Sequence, residues 1–241
     1  MIPAPSCLGK LPLHGDFLRI RVNQAQKNKL DHWFATFGKT GNVNQLSEAN
    51  KELTTASSTI KPWCFVMRGG LLGVSNQLLG IGVLFDSFDK IGRRYPFVMY
   101  QLVPKRWLIN QLKEPNHWLQ CLQRFAKGCQ YKESGEIDTM LNQLWSIYKP
   151  QWLDYVKTPN HSQRKLMTRN AERLLQDWPI PNSKTDDVGV SIPPWINWPR
   201  NLNMQNQNSV WWQLDNAGRY IDCTERDTLD RTLLVQLLGR H

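Results

Sequence analysis

The sequence lacks any long apolar run, and this excludes a helix that spans a membrane. A spanning helix needs about 20 consecutive apolar residues, whereas the longest run here, Leu78 to Phe85, is far shorter and contains two glycines. That run predicts a buried strand instead. The first residues, Met1 to Pro5, also lack the charged and then apolar pattern of a secretory signal. We therefore expect a cytoplasmic protein with no stable membrane insertion.

Cysteine and histidine are sparse, and their spacing excludes the common disulfide and metal frameworks. The five cysteines are an odd number without CxxC spacing, and the five histidines show no HExxH pattern. We expect free thiols in a reducing interior, no metal and no cofactor.

Acidic residues are fewer than basic residues in this chain. The chain has 20 Asp and Glu against 30 Lys and Arg, which gives a formal net charge of +10. This balance favours nucleic acid, anionic lipid or an acidic protein as a partner. The basic residues are scattered and no RNA- or DNA-binding motif accompanies them. We therefore expect an acidic protein partner and no nucleic acid.

Apolar periodicity predicts a helix and then strands in the first hundred residues. The stretch Gln24 to Phe37 has the spacing of an amphipathic helix, and a short helix is expected through Leu46 to Leu53. Strands are predicted for Trp63–Met67, Leu79–Phe85 and Tyr95–Val103. Because the connection between the last two is too short for a crossover helix, they should pair antiparallel.

The second half predicts helices and then a return to strands. Residues 107–178 form a helical segment, and residues 179–208 are a proline-rich connection. Residues 209–239 then predict a hairpin and a final helix from Arg226 to Leu238. The tryptophan strand of that hairpin finds an apolar surface only on the earlier sheet. We therefore predict one α/β (α+β) domain over residues 1–241, with a largely antiparallel central sheet flanked by helices.

The first informative motif is the turn at residues 9–17, with the sequence GKLPLHGDF. Pro12 has no N–H donor and suits a strand end. Gly15 is expected to supply a positive φ, and Asp16 to accept loop amides or pair with an arginine. Phe17 is expected to anchor the next segment in the core. The candidate structural or partner-binding residues are Gly9, Lys10, Pro12, Gly15, Asp16 and Phe17.

The second motif covers residues 82–97, with the sequence GVLFDSFDKIGRRYPF. A guanidinium holds a carboxylate well, so Arg93 is expected to pair with Asp16, Asp86 or Asp89. These residues would then form an internal clasp that fixes the loop, or an exposed surface that another protein recognises. The candidate residues are Ser87, Asp89, Gly92, Arg93 and Pro96.

Catalytic motifs are absent from both loops. The sequence has no Walker A or GxGxxG segment, and no GxSxG elbow surrounds Ser87. We expect no catalytic residue and no enzyme activity. Two alternatives stay open: an enzyme with a small-molecule or phosphoryl-group site between the two loops, and a nucleic-acid-binding module.

The two motifs resemble those of the TagF family, also called ImpM, of type VI secretion system accessory proteins. The first matches the GKLPxxGDF segment of that family, and the second matches a later segment with its Ser, Asp, Gly-Arg and Pro-Phe residues. Asp31-His32-Trp33, Pro62–Phe65 and Trp211-Trp212 add to the likeness. The resemblance covers residues 6–105 and returns at the tail. It departs at Asp86, where a proline is expected, and at Val22-Asn23, where the family often has a Leu-Pro pair.

This resemblance implies a regulatory function without catalysis. TagF proteins are cytoplasmic, post-translational repressors of type VI secretion that are thought to bind the forkhead-associated scaffold protein of the apparatus. The implied partner is therefore that scaffold protein.

Overall fold

The described chain forms seven strands and six helices. The computed structural model describes residues 2–36, 61–112, 117–149, 160–178, 189–190, 195, 198–199, 209–215 and 218–239. The strands are β1 (Ser6–Gly9), β2 (Leu18–Ile20), β3 (Trp63–Arg68), β4 (Leu78–Phe85), β5 (Phe97–Pro104), β6 (Ser209–Leu214) and β7 (Tyr220–Arg226). The α-helices are α1 (Gln24–Phe34), α2 (Lys105–Leu112), α3 (His117–Gly128), α4 (Ser134–Tyr148), α5 (His161–Leu174) and α6 (Arg231–Leu238). Short 3-10 helices cover Gly69–Leu72 and Cys129–Tyr131.

All seven strands belong to one sheet, in the order β2-β1-β5-β4-β3-β6-β7. Every neighbouring pair is antiparallel. The predicted α/β class with an antiparallel central sheet is therefore confirmed. Strand β6 pairs with β3 although about 140 residues separate them along the chain.

The central strands of the sheet are buried on both faces. In β3, Cys64 and Val66 pack in one apolar cluster with side chains of α2 to α5. The alternate residues Trp63, Phe65 and Met67 pack in a second cluster with side chains of α1 and α6. Because successive side chains of a strand point to opposite faces, the continuous apolar runs of the strands supply both layers.

Side-chain caps define where several helices begin. Asn23 accepts a hydrogen bond from the Gln26 amide, and the Gln26 side chain accepts one from the Asn23 amide. The same reciprocal capping box starts α5, and Asp230 caps α6 by accepting from the Leu233 amide. These caps satisfy amides that have no partner within the helix.

Some element bounds differ from the prediction. The last helix was expected from Arg226, but β7 extends through that residue and the cap places the start of α6 at Arg231. Phe37, the predicted helix at 46–53 and most of residues 179–208 lie outside the described residues. No helix in the described ranges has the length and apolar character needed to cross a membrane.

Candidate functional site

The two motifs meet at one end of the sheet. Strand β1 ends at Gly9 and lies beside β5, whose first residue, Phe97, is the last residue of the second motif. The Lys90 amide donates a hydrogen bond of 3.1 Å to the His14 carbonyl, which joins the two loops. The sheet order therefore places these loops together although about seventy residues separate them in sequence.

Glycine at position 9 allows the close approach of the two segments. Its φ is +145°, and a Cβ there would lie 2.4 Å from the Pro96 carbonyl oxygen and 2.6 Å from the Phe97 Cα. Both neighbours are backbone atoms, which cannot rotate away. Any larger residue at Gly9 must push β1 away from β5.

Asp89 is the centre of the contact between the motifs. Its fully buried carboxylate accepts bonds from the Lys10 ammonium at 2.8 Å and from Arg93 Nε at 2.6 Å. The amides of Ile91 and Arg93 donate to its other oxygen at 3.1 and 2.9 Å. Lys10 comes from the first motif, so one carboxylate holds both loops.

The environment of Asp89 keeps its carboxyl ionised. Burial alone would raise the pKa of this group, but the hydrogen bonds from Lys10 and Arg93 outweigh it and lower the pKa to about 2. A general base needs a pKa near the working pH. Asp89 is therefore tuned for holding cations and amides, and it is poorly suited to proton transfer.

A second ion pair fixes the other side of the same loop. Arg94 donates through Nε at 2.9 Å, and also through Nη2, to Asp86 Oδ2. The Tyr95 amide donates to the Ser87 carbonyl at 2.8 Å. The Ser87 hydroxyl is buried and has no hydrogen-bond partner among the described residues. Gly92 has a φ of +82° at the turn between these pairs. Glycine adopts this left-handed conformation at no steric cost because it has no Cβ.

Aromatic side chains continue the contact outward. The Lys10 ammonium lies 4.9 Å from the centre of the Phe17 ring, and Phe17 meets Tyr95 edge to face at 4.6 Å. The Tyr95 hydroxyl donates to Asp31 Oδ1 at 2.9 Å. Burial and this bond raise the pKa of Tyr95, so it stays a neutral donor. Helix α1 is tied to the motif loops through this pair.

Two expectations for the first motif are wrong. Gly15 has no positive φ, and a Cβ there would meet nothing within 4 Å, because the positive φ of this region belongs to Gly9 and Gly92. Phe17 is 41% exposed rather than buried in the core, since its ring lies on Tyr95 at the surface. Asp16 accepts the Phe17 amide at 2.7 Å. Pro12 lies in a turn three residues after Gly9, where β1 ends.

Sequence reasoning missed several partners. It offered three carboxylates for Arg93, and the structure selects Asp89, while Arg94 takes Asp86. It gave no role to the Lys10 ammonium. It also missed Tyr95, for which the only available signal was a tyrosine directly before Pro96 at the start of β5.

A separate polar cluster lies between α3 and α4. The Tyr148 hydroxyl contacts His117 Nδ1 and lies 3.3 Å from the Cys121 sulfur. Burial raises the pKa of Cys121 to about 11 and lowers the pKa of His117. The thiol is therefore protonated at neutral pH, which makes it a poor nucleophile. Among the described residues, no group of His, Cys, Asp and Glu side chains could hold a metal ion.

The family match agrees with the resemblance of the two motifs. The TagF N-terminal domain, which is type VI secretion system-associated, matches residues 6–144. The solved structure of PA0076 from Pseudomonas aeruginosa PAO1 is 18% identical, and the match covers 99% of this chain and 96% of that chain with a TM-score of 0.43. No curated protein matches significantly. Since residues 6–144 are more than half of the 241 residues, the chain belongs to the TagF N-terminal domain family of type VI secretion system-associated proteins.

Proposed function

We propose that this chain is a non-catalytic regulator of a bacterial type VI secretion system. It acts in the cytoplasm and represses secretion by binding the forkhead-associated scaffold protein of the apparatus. The association with type VI secretion follows from the family. The repressor role and the partner rest on the family resemblance.

The set of hydrogen bonds that the buried Asp89 carboxylate accepts is the observation that most supports a role without catalysis. Its carboxylate is engaged by Lys10, Arg93 and two amides, and its pKa of about 2 keeps it charged. A catalytic carboxylate is more often raised toward neutral pH and faces a cleft. The Asp89 carboxylate instead joins the two loops, which leaves their outer faces for recognition.

The net charge supports an acidic protein partner. The chain carries a formal charge of +10, and complementary charge accelerates association and selects partners. Binding that depends on salt but keeps micromolar affinity at physiological ionic strength is the expected behaviour.

The direct test is binding between the purified chain and the forkhead-associated scaffold of the same bacterium. We expect a dissociation constant in the micromolar range or tighter by biolayer interferometry. A matched second test overproduces the chain in the secreting bacterium and measures type VI secretion, which should fall. No binding at tens of micromolar scaffold, or secretion that stays unchanged, contradicts the proposal.

A further inference from the structure

Three chain segments meet at His14. Its carbonyl accepts the Lys90 amide at 3.1 Å, and its imidazole Nε2 lies 3.0 Å from the Lys132 carbonyl. The first motif, the second motif and the segment before α4 are thereby joined at one place. The Cα atoms of consecutive residues are only about 3.8 Å apart. The neighbours of these bonded residues therefore share one region of the surface.

Those neighbours are exposed apolar side chains. Leu13, Ile91 and Tyr131 are 48%, 69% and 67% exposed, and each is adjacent in sequence to one of the three joined residues. Phe17 is 41% exposed and packs against Tyr95 beside Lys10. These four are the majority of the seven large hydrophobic side chains that are exposed among the described residues. We name Leu13, Phe17, Ile91 and Tyr131 the loop-junction surface.

Two cations with free donors flank Ile91. Lys90 is exposed, and its ammonium makes no ion pair within the described part of the chain. Arg93 binds Asp89 through Nε, yet its side chain is 60% exposed. A guanidinium has five N–H donors, so most of the Arg93 donors face outward.

The exposed acidic groups near the loop-junction surface are closer in sequence to Phe17 and Tyr131 than to Ile91. Asp16 accepts the Phe17 amide at 2.7 Å, and Glu136 pairs with Lys132. Glu133 is exposed beside Lys132, on the Tyr131 side. The cations at Lys90 and Arg93 are therefore the charges that border Ile91 itself.

We propose that the loop-junction surface is the docking site for the protein partner, which presents an apolar side chain flanked by carboxylates. The apolar side chain packs on Ile91, and the carboxylates bind Lys90 and the outer donors of Arg93. This inference rests on the proposed function, because the partner is the scaffold protein named there. Clustered exposed apolar groups, aromatic rings and arginine are the composition of interface centres.

The buried clasp explains why this surface can bind without reorganising. Asp89 holds the base of the loop through four donors from both motifs. Ile91 and Arg93 are the residues whose amides it binds. A surface that is ordered before binding loses less conformational entropy on association.

The test compares Ile91→Asp with the matched control Leu166→Asp, because Leu166 is 56% exposed on α5 and belongs to neither motif. We expect Ile91→Asp to weaken scaffold binding at least 30-fold, as for a central interface residue. Leu166→Asp should stay within threefold of the unchanged chain, and both variants should keep its thermal midpoint. Lys90→Gln should reduce the salt dependence of the association rate.

Hydrogen exchange on the complex gives a second measurement that needs no substitution. Amides of residues 11–17 and 89–93 should gain protection on binding, whereas those of α5 should not. If the unchanged chain binds and Ile91→Asp binds equally well, or if protection appears elsewhere, the docking site is wrong and the proposed function stands. If the unchanged chain does not bind, both are wrong.

Discussion

At the scale of single residues, Asp89 and Arg93 show how one short motif combines a buried ion pair with an exposed side chain. Asp89 is fully buried, while the Arg93 side chain that binds it is 60% exposed. The pair therefore has one end in the core and one end at the surface. The internal clasp predicted from the sequence is present in this pair, while recognition of the exposed donors of Arg93 by another protein stays a prediction.

Replacing the central carboxylate should destabilise the fold strongly. Asp89→Asn removes the charge that compensates the Lys10 ammonium, which is only 9% exposed. Removing one partner of a buried pair costs about 3–5 kcal/mol, because the remaining charge stays buried. The free energy of unfolding in urea measures this. Glu136→Gln, in an exposed pair with Lys132, should cost less than about 1 kcal/mol, and equal losses would contradict the assignment.

The same residue should contribute to acid sensitivity. The folded-state pKa of Asp89 is about 2, below its ordinary 3.8, so the unfolded chain binds the proton more tightly. The contribution of ionised Asp89 to the free energy of unfolding is complete above about pH 4 and is lost as the pH falls toward 2. It amounts to about 2 kcal/mol. Urea unfolding should be measured between pH 5 and 2, at about one-unit steps. The free energy of unfolding should fall more steeply with decreasing pH for the unchanged chain than for Asp89→Asn. Parallel curves for the two chains would argue against this role of Asp89.

At this scale, sequence reasoning reached the right chemistry and an incomplete geometry. A carboxylate near Arg93 was predictable, because oppositely charged groups in one loop pair readily. The participation of Lys10 was not, since it depends on β1 lying beside β5. Phe17 was placed in the core because aromatic residues usually are, but its ring lies on Tyr95 at the surface.

At the scale of elements, the pairing of β4 with β5 depends on a residue without a side chain. A Cβ at Gly82 would lie 2.1 Å from the Met99 carbonyl oxygen and 2.7 Å from the Tyr100 Cα. Both are backbone atoms of the neighbouring strand. Gly82→Ala should therefore lower the free energy of unfolding by about 3 kcal/mol or more, as measured by chemical denaturation.

Gly135→Ala is the matched control for that substitution. Gly135 lies in the first turn of α4, and a Cβ there would meet nothing within 4 Å. Alanine in a helix is favoured over glycine by about 1 kcal/mol, so this variant should be as stable as the unchanged chain or more so. If Gly82→Ala has the same free energy of unfolding as Gly135→Ala, then β4 and β5 can separate slightly at no cost.

Element types were well predicted from sequence, and element ends were less so. Continuous apolar runs identified β4 and β5, and the short connection gave their antiparallel pairing. The start of α6 was misplaced by five residues, because Asp230 and not the apolar pattern sets it. Caps are local hydrogen bonds, and periodicity does not report them.

At the scale of the whole molecule, residues 209–239 are expected to be necessary for folding. Their strand β6 pairs with β3, and α6 accepts the indole N–H of Trp63 through the Leu237 carbonyl at 2.7 Å. Trp211 also packs on Phe65 at 4.9 Å. A chain ended after residue 208 should be aggregated and without cooperative unfolding, because it exposes the edge of β3 and an apolar face.

A chain ended after residue 239 is the control for that truncation. It should elute as the full chain does in size-exclusion chromatography and unfold at the same temperature. A monomeric chain of residues 1–208 with a cooperative thermal transition would show instead that the tail is an addition to an independent domain.

The position of β6 beside β3 also has a consequence for synthesis on the ribosome. The last residue of β3 is Arg68 and the first of β6 is Ser209, so the outer edge of β3 is translated long before its partner. At roughly 5–20 residues per second, that edge waits on the order of 10–30 s for β6. A nascent strand left open for so long is a natural site for a chaperone, and the fraction of soluble newly made protein should therefore depend on chaperone supply during translation.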